Sequence, residues 1–479
     1  MNLVGREKEV KELLDLYNTN NSDLVAIYGR RRVGKTYLIN QTFDNNFDFK
    51  HAGISPNEID NSKNILKQQL SQFYNSLKLY GMKEHTIPKD WFEAFYMLSK
   101  LLKDKYTDRK QVVFIDELPW MDTPKSNFIK AFEGFWNSFA NGRNIMVIIC
   151  GSANSWIVNE LINNHGGLYG RVTKEIKLSP LSLKECELFF NKKNINFSRY
   201  DIVQAYMAVG GIPYYLNYFE PRLGIYENID KIFFSKSAPL RVEYDRLFAS
   251  VFSNSNLAKK IVELLSTKNI GYTREEIVKK LSIDNNKTTG DTLNALLSSD
   301  FVIKFRPLTE NRKTLYYKLI DPFCIFYMKF IKDSTSLDID LFSNESLSQK
   351  VVTYRGIAFE NVCFNHIEQI KNALKISAIR TSQSTFIYKG DKDTQGAQID
   401  LIIERSDNII NLCEIKFYSN EYINTKEKHL SLMNKKDALS KFILKKQIIK
   451  NVLITTYGIK QNEYQWDYDK IIILDELFL

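Results

Sequence analysis

Two groups of residues carry chemistry in their types and spacing, one toward each end of the chain. In the first, GRRRVGKT sets Gly29 and Gly34 on either side of Arg30, Arg31, Arg32 and Val33 and closes on Lys35 and Thr36. This is the Gly-x-x-x-x-Gly-Lys-Thr spacing of a phosphate-binding loop. The glycines let backbone N–H groups wrap an anion, Lys35 reaches the β and γ oxygens, and Thr36 ligates magnesium. Downstream, VVFIDE ends an apolar run on Asp116 and Glu117. Asp116 is expected to hold the magnesium through water and Glu117 to polarise an attacking water, which points to hydrolysis with ATP and Mg2+ as cofactors.

The second group lies near the C-terminus. Residues 399–404 (IDLIIE) alternate into a strand, RSDN makes a turn, and residues 409–417 (IINLCEIKF) return as a second strand. The hairpin carries Asp400 before its first strand, and Glu414 and Lys416 within its second. Residues two apart face the same side of a strand, so Glu414 and Lys416 project together while Ile415 turns to the core, and register across the hairpin can bring Asp400 opposite them. Two carboxylates converging with a lysine suit metal-dependent phosphodiester hydrolysis: the carboxylates hold magnesium, and the lysine positions the nucleophile or stabilises the transition state. Gln398 shares the side of Asp400. The strands are otherwise almost wholly apolar, so these charges are costly unless they ligand a metal or pair with one another. Cleavage and binding alone both remain open on these residues.

The elements that must position these groups are legible around them. Residues 24–28 (LVAIY) form a strand before the glycine-rich loop, YLINQTF a helix after it, and residues 112–115 a second strand. A third strand, 145–150 (IMVIIC), runs into GSANSW and sets Ser152 and Asn154 at its carboxyl end, where ligands of open α/β sheets gather. Either residue can sense a γ-phosphate or cap a helix. Arg171 precedes a strand at 172–178 and is placed to stabilise transition-state charge. Residues 257–265, 274–281 and 289–297 read as helices, the second started by a Thr273–Glu276 capping box, and an extended pair at 301–306 and 314–319 is split by TENRK. Three helices and a β-wing are the winged-helix pattern, with Lys287, Arg306, Arg312 and Lys313 available to phosphates; DNA reading and an interdomain lever both fit it.

The set VGREKE, GRRRVGKT, VVFIDELPW, IICGSANSW and LYGR followed by KLSPLS resembles the archaeal and bacterial ATPases of the AAA+/STAND group over residues 1–240. The resemblance implies a five-stranded core with Gly5 and Arg6 near adenine, Ser152 as sensor and Arg171 as an arginine finger. It also implies that Gly211-Ile212-Pro213 is the element that seats Pro213 on the nucleotide and couples its state to the rest of the chain. The spacing of Asp400, Glu414 and Lys416 resembles the PD-(D/E)XK nuclease superfamily, without the proline before Asp400. That resemblance implies Glu360, in GIAFENVCF, as a further metal ligand. His366 reads as a packed or surface histidine.

Composition bounds the rest. The 479 residues allow about three domains, and a net charge of +10 suits a polyanion, so DNA is the expected partner. The lysine-rich stretch 435–450 can track a phosphate backbone; a second copy of the chain or a protein partner stays open. Five scattered cysteines without a Cys-x-x-Cys pair point away from disulfides and thiolate zinc and toward the cytoplasm. No apolar run is long enough for a membrane span, and the Pro322 segment reads as a buried helix. The expected fold class is α/β: a P-loop AAA+ type parallel sheet (1–180), a helical extension (181–250), a winged helix (251–331), a linker (332–348) and a C-terminal restriction-endonuclease-like α/β domain (349–479).

Overall fold

Apolar runs of strand length form a parallel sheet in the first part of the chain. The computed structural model describes all residues except 1–2, 56–64, 164–165, 253, 309–313, 335–339 and 393. The expected phosphate contacts of Arg312 and Lys313 therefore lie outside the described residues. The strands are β1 (Asp23–Tyr28), β2 (Phe49–Ala52), β3 (Gln111–Asp116), β4 (Ile145–Gly151) and β5 (Lys174–Lys177), in the order β2-β3-β4-β1-β5. All of their pairings are parallel. β3 and β4 are buried along their whole length, as a parallel sheet covered on both faces requires. Alternation splits each strand between two cores. Leu24, Ala26, Val113 and Ile115 join Phe73, Trp91, Phe95 and Phe128 on one face, while Val25, Ile27, Val112 and Phe114 join Leu13, Leu38 and Ile39 on the other. Each such fully buried aliphatic or aromatic side chain contributes about 1.5–3 kcal/mol.

The strands expected at 24–28, 112–115 and 145–150 form with ends within one residue, whereas the one expected at 172–178 shrinks to β5. β2 was not legible: FKHA is short and lies at the sheet edge. Because β3, β4 and β1 are adjacent, the segments leaving their carboxyl ends, with Asp116, Ser152 and the glycine-rich loop, are neighbours.

The chain divides into two compact units: Met1–Pro180 with Asp245–Ser255 and Asp291–Ser299, and Leu181–Tyr244 with Asn256–Gly290 and Asp300–Leu479. In the second, the helix Leu183–Lys192 starts on a Ser182–Glu185 capping box. The helices Ser255–Ser266 and Arg274–Leu281 follow the expected pattern, the latter with its Thr273–Glu276 capping box. The helix Lys287–Ser298 begins in this unit, and its residues from Asp291 belong with the first. The extended pair forms as β7 (Val302–Phe305) and β8 (Tyr316–Leu319), joined by a short β6 (Tyr272–Thr273) in the antiparallel order β6-β8-β7.

A mixed sheet closes the chain: β9 (Thr381–Tyr388), β10 (Ala397–Arg405), β11 (Ile409–Lys416), β12 (Ile448–Thr455) and β13 (Lys470–Ile472), in the order β13-β12-β11-β10-β9. β9, β10 and β11 are antiparallel, and β11, β12 and β13 parallel, with the helix Lys426–Ser440 supplying the crossover that a parallel pair needs. The helix Gln349–Asn365 precedes β9. Asp400 is corrected in place: it lies inside β10, where the pairing with β9 shifts register between Ile399 and Ile402. Part of the expected linker is ordered, since the backbone N–H groups of Phe342 and Ser343 donate to Asp230 at 2.8 Å and seat the short helix Leu341–Asn344. No helix among the described residues is long and apolar enough to cross a membrane.

Candidate functional sites

The glycine-rich loop has the backbone its sequence requires. Gly29 has φ +150°, and a Cβ there would lie 2.2 Å from the carbonyl oxygen of Leu178; Gly34 has φ +96°. Lys35 is buried, its ammonium donating to the carbonyls of Gly29 at 2.9 Å and Arg30 at 3.2 Å. A buried ammonium held only by carbonyls is a ready acceptor of an anion. Thr36 Oγ1 donates to Asp116 Oδ2 at 2.7 Å, so the two expected magnesium residues converge and fit a hard cation by donor type. Around them the loop residues differ in task. Val33 is packed in the core, Arg30 is buried, and Arg31 lies over the ring of Trp120 at 5.6 Å.

The acidic pair is held by neutral donors. Asp116 Oδ1 accepts from the Glu117 backbone N–H at 2.9 Å and from Cys150 Sγ at 2.6 Å. Glu117 sits at φ 46°, a left-handed backbone unusual for glutamate, and its Oε2 accepts from both the N–H and the hydroxyl of Ser152, at 2.9 and 3.0 Å. Burial pushes the Glu117 carboxyl above its ordinary value, with Lys35 and Ser152 opposing. Ser152, the expected sensor, is thus engaged with Glu117. The residue that reaches the loop is Asn154: its Oδ1 accepts from Gly29 N–H at 2.8 Å and its Nδ2 donates to the Ser298 carbonyl at 2.9 Å.

The outlying residues fall in different places. Gly5 and Arg6 are both left-handed, and the Arg6 guanidinium donates to the Ser179 carbonyl at 2.6 Å. Arg171 is exposed. Pro213 starts a short helix in the second unit, after Gly211, where a Cβ would lie 1.9 Å from the Leu181 carbonyl oxygen.

The C-terminal group also assembles, with a different kind of partner. β10 and β11 pair Leu401 with Cys413 and Ile402 with Leu412, and the same register continued puts Asp400 opposite Glu414. Glu414 is buried between two lysines: Lys416 at 3.3 Å, and Lys435 from the helix Lys426–Ser440. Burial raises the Asp400 carboxyl, Lys416 pulling it down and Glu414 pushing it further up. Burial raises Glu360 to about 7, with Asp400 adding to the rise and Lys318 and Asn269 opposing it. Burial works against the charge on Lys416, but Glu414 and Asp400 outweigh it and hold the ammonium charged.

Glu360, Asp400, Glu414 and Lys416 are therefore electrostatic neighbours, as expected. The expected three-carboxylate ligand set is not: among the described residues no three His, Cys, Asp or Glu stand close enough to hold a metal. Hard oxygen donors fit Mg2+ in kind, and two carboxylates with water suffice for it. Gln398 is exposed. His366 is packed, accepting from Leu183 N–H at 3.0 Å and donating to the Val362 carbonyl at 2.8 Å. Lys435, Lys318, Asn269 and Cys150 were not singled out for these sites. Lys318 alone left a signal, a charge inside the aromatic and apolar strand YYKL.

Comparison with known proteins bears on the first part. Residues 3–219 match the family described as an ATPase domain predominantly from Archaea. An uncharacterized protein of Methanocaldococcus jannaschii is 29% identical over 407 residues, 83% of this chain and 83% of its own length. An uncharacterized ATP-binding protein of the same organism is 24% identical over 327 residues, 58% of this chain and 89% of its own. Among solved structures, the Walker-type ATPase of Pyrococcus abyssi is matched over 68% of this chain and 96% of its own at 17% identity and a TM-score of 0.45.

Proposed function

With residues 3–219 forming a P-loop ATPase domain, we propose that the protein is an ATP-driven switch whose C-terminal domain is a metal-dependent, PD-(D/E)XK-like nuclease acting on DNA. In the first site Lys35 leaves the Gly29 and Arg30 carbonyls for the β and γ phosphates, and the loop N–H groups take the remaining oxygens. Thr36 and Asp116 would hold Mg2+, which when bound neutralises charge building on the phosphates. Glu117 orients the attacking water once its grip on Ser152 loosens. Arg171 belongs to a neighbouring copy's site in this reading, and a winged helix built on Arg274–Leu281 and Lys287–Ser298 carries the nucleotide state onward.

The observation that carries the nuclease reading is the register whose continuation sets Asp400 opposite Glu414 with Lys416 beside it, in strands whose central residues are buried and mostly apolar. The order of elements supports it: a helix with Glu360, three antiparallel strands, then a helix crossing to parallel strands. Asp400 and Glu414 would hold a divalent cation that activates water, and Lys416 would steady the attacked phosphate. The test is incubation of the full chain with supercoiled and linear DNA and Mg2+ or Mn2+, beside Asp400→Ala and Lys35→Ala. Nicking lost in Asp400→Ala supports the reading, and the Lys35→Ala lane reports whether ATP gates it.

One observation favours a second reading, a domain that grips nucleic acid or a protein without cutting: Glu414 already has two lysine partners. ATP hydrolysis with no cleavage under either metal selects it.

A further inference from the structure

Asn269, just before β6, and Lys318, on β8, meet the helix that carries Glu360. Lys318 alternates along β8 with Tyr317 and Leu319 and so points from the opposite face of its strand. It is 2% exposed and stands 4.7 Å over the ring of Phe364. Burial lowers its pKa, and the charges of Glu360 and Asp400 act on its ammonium in the opposite direction. Asn269, in the turn before β6, donates to Glu360 Oε2 at 2.5 Å. The two donors are tied together. Tyr272 pairs with Tyr317, and Gly271, at φ +83°, crosses so close to β8 that a Cβ would lie 2.0 Å from the Tyr317 carbonyl oxygen.

The residues that leave β7 are docked on the same domain. The Leu308 N–H donates to the Thr385 carbonyl on β9 at 3.2 Å, Leu308 packs against the apolar core of the C-terminal sheet, and the charge of Arg306 acts on Glu404 of β10.

A lysine withdrawn from water is costly unless its charge is answered, and two neighbouring half-buried carboxylates such as Glu360 and Asp400 repel unless a cation lies with them. The charges of Lys318, Glu360 and Asp400 offset one another, and the ammonium supplies a charge that a bound divalent cation would otherwise supply. We propose that Lys318 is a built-in stand-in for that cation: with Asn269 it latches the β6–β8 sheet onto the carboxylates, and a divalent metal binds Asp400 only as the latch withdraws. This rests on the metal-centre reading above and adds its regulation. Metal and hairpin compete for one set of carboxylates, so whatever moves the hairpin sets the metal affinity.

The test is Mn2+ binding to the nucleotide-free full chain, by calorimetry or loss of the free-ion EPR signal, for wild type, Lys318→Met and Asp400→Ala. Lys318→Met keeps side-chain length and removes the competing charge, and should bind Mn2+ at least about tenfold tighter than wild type, while Asp400→Ala binds none. Equal or weaker binding by Lys318→Met, with Asp400→Ala still silent, overturns the latch alone. Binding by Asp400→Ala equal to wild type, or none by any of the three, overturns the metal centre and the latch with it. Hydrogen exchange of the wild type covers a variant that does not fold. Mn2+ should speed exchange in β7 and β8, and unchanged exchange at saturating Mn2+ overturns the latch.

Discussion

The two sites answer buried carboxylates in opposite ways. In the first, Asp116 and Glu117 are held by a hydroxyl, a thiol and backbone and serine donors, and the nearby lysine rests on carbonyls. Among the described residues Asp116, Glu117 and Lys35 make no ion pair with one another, and the Lys35 ammonium rests on carbonyls that an incoming phosphate can replace. In the second, Lys416 and Lys435 stand directly against Glu414, and the charge of Lys318 acts on Glu360 and Asp400. The first site is arranged to receive charge; at the second, Glu414 is already balanced from within by two lysines.

This contrast makes removal of a lysine a functional lesion in one place and a structural one in the other. Lys35→Ala should cut ATP turnover by at least about 100-fold, as loss of a transition-state donor does, with little change in melting temperature; a phosphate-release assay beside thermal unfolding checks both, and retained turnover removes the ATPase assignment. Lys435→Ala should do the reverse, costing roughly 1–3 kcal/mol of stability by leaving buried Glu414 with Lys416 alone. A denaturation midpoint equal to wild type would mean that the second site is not charge-balanced from within.

Smaller effects sharpen the comparison. Asn154→Ala leaves the Gly29 N–H and the Ser298 carbonyl without this partner, and about 1–2 kcal/mol should be lost in urea titration. A loss of turnover larger than the loss of stability would mark Asn154 as reading the nucleotide. Acid should weaken both units through one buried histidine each. His51 is lowered by burial from 6.5 to about 3, and His366 from 6.5 to about 4. Their folded pKa values are depressed, so between those values and 6.5 the unfolded chain binds more protons. Stability is full above about pH 6.5 and falls as pH drops, each histidine contributing of order 1 kcal/mol per pH unit. Thermal unfolding from pH 7.5 to 5 should show the decline, shallower in His366→Phe.

Legibility followed the distance over which each feature is built. The strands 24–28, 112–115 and 145–150 were readable because a strand buried on both faces must be continuously apolar. β2 was not, since an edge strand of four residues has too few positions to show a pattern. The glycine-rich loop, Asp116, Glu117 and the Glu414–Lys416 pair were readable because each works within a few residues, where backbone geometry or strand period dictates residue type. Asp400 was found but misplaced relative to its strand, because a register shift leaves no mark in composition.

What the sequence alone determined is which residues stand in a phosphate-binding-loop spacing and where carboxylates and lysine share a strand face, for that is a matter of local spacing. What only the tertiary structure decided is which partner each buried group receives: Cys150 on Asp116 across 34 positions, Asn154 on Gly29 across 125, Asn269 on Glu360 across 91. These pairings join residues far apart in the chain, and the choice is made by packing, because a buried charge or amide must take whatever donor the fold brings within about 3 Å.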